Sequence, residues 1–72
     1  MDQMLRQEAI NEDRNLKLMI KEDPYVGYYL YVYDLSTGNL THDHHYFQNQ
    51  LNDLYGSALR RYGVSIDMFK NT

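Results

Sequence analysis

The 72-residue chain contains no cysteine, one proline and no long hydrophobic run, and its basic residues are outnumbered by its acidic ones. Without cysteine, disulfides and thiolate zinc sites are both excluded. The same absence fits a reducing compartment, so a cytoplasmic location is expected. No stretch approaches the roughly 18 apolar residues that span a bilayer. The opening MDQMLRQEAINEDRN is charged and lacks the apolar run of a secretory signal, so the glycosylation-type triplet NLT at 39–41 is taken as a chance match. Seven lysines and arginines against ten aspartates and glutamates give a net charge of −3, which argues against nucleic acid as a partner. The adjacent pair Arg60-Arg61 is ordinary for a helix surface. No glycine-rich phosphate loop is present, and Ser36, Ser57 and Ser65 have no histidine or acid at a telling distance. No catalytic residue and no cofactor is therefore expected, and the acidic excess serves solubility.

A chain of this length forms one domain, 1–72, and buries only roughly 60% of its unfolded surface. With disulfides excluded, the remaining ways to reinforce so small a core are a metal held by histidine and carboxylate, or a second subunit.

Residues 1–22 read as an N-terminal helix, from about Asp2 to Glu22. Met1, Leu5, Ala9, Leu16, Met19 and Ile20 recur on one broad side at 3.6-residue spacing. Glu12 interrupts that side, Ile10 and Leu18 lie off it, and LKLMI is also readable as a strand. Asp23-Pro24 ends the segment in either case. A β-hairpin follows over 23–42, with strands at about 26–35 and 39–42 joined by LSTGN, whose Gly38 suits the left-handed position of a short loop. The return strand is expected to be short because the main helix, 43–63 with its body at about 44–62, begins at once. Phe47, Leu51, Leu54, Tyr55, Ala58, Leu59 and Tyr62 form its apolar stripe. Asp43, or alternatively Thr41, would cap it, and Gly63 would stop it. Gly56 falls opposite the stripe. The tail 64–72 reads as a short strand or a single turn whose last three residues fray. The expected fold class is thus α+β, a small two-layer domain with both helices on one side of a hairpin.

The tyrosines carry the functional reading. GYYLYVYD at 27–34 holds four of the eight. Strand alternation sends Val26, Tyr28, Leu30 and Val32 one way and Tyr29, Tyr31, Tyr33 and Leu35 the other. With only two layers, the second set faces outward. Tyrosine supplies large contact area at low entropic cost, so Tyr29, Tyr31, Tyr33 and Leu35 are the candidate protein-binding residues. Tyrosine's strand propensity alone is the plainer explanation. The expected function is a small, non-catalytic interaction module, an adaptor, regulator or inhibitor of a larger protein, acting as a homodimer through this face. The alternative is a metal-binding protein or metal-dependent enzyme using THDHH, with His42, His44, His45 and Asp43 as ligands. A polar strand-to-helix junction explains that cluster without a metal.

Overall fold

The computed structural model describes residues 4–72. Its elements run β1 (Arg6–Asn11), β2 (Leu16–Asp23), β3 (Gly27–Asp34), β4 (Leu40–Tyr46), a 3-10 turn (Gln48–Gln50), α1 (Leu51–Tyr62), a second 3-10 turn (Ile66–Met68) and β5 (Lys70–Asn71). The five strands form one antiparallel sheet in the order β4-β3-β2-β1-β5, and α1 packs across one face of it.

This overturns the expected N-terminal helix. The segment is a hairpin, with Ala9 opposite Leu18 and Glu8 opposite Met19. Residues 1–3, which the helical reading included, lie outside the described residues. Alternation over 16–21 is what the helical pattern obscured. Leu16, Leu18 and Ile20 point toward α1, while Lys17, Met19 and Lys21 point away. Leu18, which the helical stripe left out, is completely buried. Between the two strands, Asn15 takes a left-handed conformation with φ 56°, which asparagine tolerates better than most residues. Tertiary pairing then settles the matter. A two-stranded sheet is barely stable, and β2 pairs with β3 along its whole length, from Leu16 opposite Asp34 to Asp23 opposite Gly27.

The main helix is also shorter than expected. Its body starts at Leu51, not near His44, and neither Asp43 nor Thr41 caps it; Gln50 is the N-cap residue. The intervening chain extends β4 to Tyr46, opposite Tyr28, so the return strand is not short. Helix propensity in this stretch is weak, and each residue added to β4 completes a ladder with β3. Leu54 and Ala58 are fully buried, and Ser57 is buried with them. Phe47 and Leu59, both expected in the stripe, are largely exposed. Gly63 ends the helix at φ 67°, its N–H donating to Leu59 O (3.0 Å) while Val64 N donates to Ala58 O (3.2 Å).

The end of the tail pairs with β1. Val64 and Phe69 enter the core, Asn71 pairs with Gln7, and Thr72 N donates to Arg6 O at 3.0 Å. Turn and strand both occur. The core therefore joins distant parts of the chain: Ala9, Leu18 and Ile20 from the first hairpin, Leu30 and Val32 from β3, Leu54 and Ala58 from α1, and Val64 and Phe69 from the tail.

Candidate functional site

One face of the sheet is covered by α1; the other has no covering element among the described residues. Strand parity places Tyr29, Tyr31 and Tyr33 of β3 on that open face. Each has a neighbour on both sides. Tyr29 lies between Lys21 and His45, Tyr31 between Met19 and Asp43, and Tyr33 between Lys17 and Leu40. The rings of Tyr29 and Tyr31 are nearly parallel, with centroids 5.9 Å apart at 14°, and the His45 imidazole meets Tyr29 edge-on at 4.6 Å. All three tyrosines are half-buried by these neighbours. The Tyr31 phenol is held above its ordinary pKa, first by burial and then by the proximity of Tyr29, Tyr33, Asp43 and Asp23. It stays a neutral donor. The face offers hydroxyls and ring surface.

Leu35 is not part of this column. It lies past the end of β3, about 40% exposed, where its N–H donates to Asn15 O at 2.9 Å. Lys17, Met19 and Lys21 were missed as members of the face because β2 was read as a helix. Alternation in LKLMIK was the signal that would have found them. Lys17 pairs with Glu8 on β1 at 2.6 Å, both side chains about a third exposed, an ion pair of small energetic weight. Beyond that pair, an open cleft of about 590 Å³ lies where β5 stops short, with Ala9, Ile10 and Met68 as its apolar lining and Lys70 at its rim.

The THDHH cluster lies in β4, and the strand divides it. His42 and His44 are on the helix side, their rings parallel with centroids 6.1 Å apart. Asp43 and His45 are on the open face, opposite Tyr31 and Tyr29. The four proposed ligands are not brought together around one point. Among the described residues, no group of three or more histidine, aspartate or glutamate side chains is arranged to hold a metal ion. His44 has a structural partner instead: its Nε2 lies 2.8 Å from the Tyr62 hydroxyl, tying β4 to the end of α1. Burial lowers the His44 pKa, Arg61 and His42 lower it further, and Asp43 opposes them. The Tyr62 phenol is raised, first by burial, with Arg61 opposing.

The remaining tyrosines have other surroundings. Tyr28 and Tyr46 of the sheet and Tyr55 and Tyr62 of α1 pack against the core, and Tyr25 is almost fully exposed in the turn after Pro24. No described helix is long and apolar enough to cross a membrane. No family model matches the chain, and no curated protein or solved structure matches it.

Proposed function

We propose that this protein is a small, non-catalytic interaction module, an adaptor, regulator or inhibitor of a larger protein, and that its working surface is the open sheet face centred on Tyr31. One observation carries the reading: three tyrosines stand in a column on the uncovered face of the sheet, flanked by Met19 and the stems of Lys17 and Lys21. Large rings on a rigid strand lose little entropy on binding, and their hydroxyls keep the face soluble while it is free. Lys17 is held by Glu8, whereas no ion pair engages Lys21 among the described residues. The complementary partner therefore has an apolar patch bordered by carboxylate.

The test uses immobilised wild-type chain, Tyr31→Ser, and Leu59→Ser as a control on the exposed side of α1, each checked by circular dichroism. Proteins captured from a lysate of the source cell are identified and weighed by mass spectrometry. A cognate partner retained by wild type and Leu59→Ser should be lost from Tyr31→Ser, with affinity falling by about 2 kcal/mol or more, as for a central aromatic anchor. Identical capture by all three natively folded chains would remove the face from consideration. A second copy of the chain is the competing occupant, and it would be recognised by a wild-type mass that doubles with concentration and collapses in Tyr31→Ser.

A further inference from the structure

The long edge of the sheet points to a partner of its own. β4 is the outermost strand on one side, and its outer backbone groups have no strand beside them among the described residues. The other edge is the two-residue β5 with its lysine. β4 carries neither proline nor lysine, the usual means of blunting an exposed edge. Its ladder with β3 shifts register between Val32 and Tyr33, so that Thr41 is the extra residue, its hydroxyl donating to Val32 O at 3.0 Å. The regular part of the edge is therefore 42–46, and His44 is its midpoint.

We propose that a second copy of this chain pairs with β4, antiparallel and edge to edge, about a two-fold axis at His44, joining the two five-stranded sheets into one of ten strands. The pairing of a carboxylate with an imidazole selects this register. A two-fold antiparallel pairing keeps each residue on its own face, so residue 43 meets 45, and 44 meets 44. Asp43 then stands beside the partner's His45 on the open face, and the contact occurs twice by symmetry. No ion pair engages Asp43 within its own chain among the described residues. Tyr29 braces the His45 ring edge-on. The neighbouring two-fold register, centred on Asp43, would set that carboxylate against its own copy. On the helix side, the chosen register places His44 against the partner's His44 and His42 against the partner's Tyr46. The two tyrosine columns would lie on one continuous face, three strand spacings or roughly 14 Å apart, leaving the face free. The pairing does not depend on what that face binds.

The absence of cysteine makes the register directly readable. His44→Cys introduces the only thiol, and across the axis its Cβ should lie about 5 Å from its copy. Mild oxidation should convert that variant to covalent dimer, while His42→Cys, displaced four residues from its own copy, should remain monomeric. Sedimentation equilibrium supplies the second arm. The wild-type mass should rise from 8.6 kDa toward twice that value with concentration. His45→Asp should weaken association roughly tenfold or more by replacing two carboxylate–imidazole contacts with two carboxylate–carboxylate ones, and Asp43→His combined with His45→Asp should restore it. Circular dichroism confirms that each variant is folded, and the thiol arm decides should a charge variant fail to fold. A wild type that stays monomeric to about 1 mM overturns the proposal. So does cross-linking at residue 42 as efficient as at 44, or a dimer lost in Tyr31→Ser but untouched by His45→Asp.

Discussion

Leu30 and Tyr31 are adjacent in β3 and answer to opposite faces of the sheet, so truncating each in turn tests the architecture. Leu30 is fully buried, opposite Ile20 on β2 and His44 on β4, and belongs to the core cluster with Leu54 and Ala58. Leu30→Ala removes three carbons, worth about 2.4 kcal/mol at about 0.8 kcal/mol each. A cavity term is added, because β3 is hydrogen-bonded on both sides and its backbone cannot move to fill the gap. Measured cases of this substitution cost about 2.7–5 kcal/mol, and the central position of β3 argues for about 4 kcal/mol. A chain of 72 residues has a total stability on the order of 4–11 kcal/mol. Leu30→Ala should therefore consume a large part of it. Tyr31→Ala removes a half-exposed ring and should cost about 1 kcal/mol through lost strand propensity and its stack on Tyr29. Urea titration followed by far-ultraviolet circular dichroism reads both. With a slope near 1 kcal/mol/M for a domain this small, the two midpoints should differ by roughly 3 M. Equal midpoints, or a larger loss in Tyr31→Ala, would mean that α1 covers the other face and that the site is misplaced.

Gly27 starts β3 at φ 123°, and an added Cβ would press on Tyr46 O and lie 2.7 Å from Phe47 C and 2.8 Å from Gln48 N. Gly27→Ala should cost about 3 kcal/mol or more by thermal denaturation, whereas Gly56→Ala, which meets only the movable Arg60 guanidinium, should be neutral or gain up to about 1 kcal/mol. A Gly27→Ala protein as stable as wild type would contradict the close crossing of β3 by the chain leaving β4. His44 gives a pH dependence whose sign follows from its lowered pKa: the fold prefers the neutral ring, so the stability it contributes is complete above the unfolded value and is lost as pH falls through the folded one. His44→Gln should make the decline in urea midpoint from about pH 7 to about pH 5 shallower, and an unchanged slope would show that His44 does not contribute to it.

Several features were determined by sequence alone, because each depends on a residue and its immediate neighbours. Alternation in YYLYVY separates Tyr29, Tyr31 and Tyr33 from Leu30 and Val32 wherever the strand is placed. Gly63 after Arg60 and Arg61 marks the helix stop, since glycine there takes the left-handed conformation without penalty. The hairpin turn around Gly38 is equally local. Tertiary structure decided the rest. Residues 5–20 fit both a 3.6-residue and a two-residue period passably, and what decides for a strand at 16–23 is its pairing along the edge of β3. The same competition lengthened β4 through THDHH and drew the helix start back to Leu51. That extension placed His42 and His44 on one face and Asp43 and His45 on the other. The pairing of β2 with β3 brought Lys17, Met19 and Lys21 beside the tyrosines, so the composition of the open face depends on strand order. Local sequence states which way a side chain points along a strand; only the pairing of distant segments determines which side chains stand beside it.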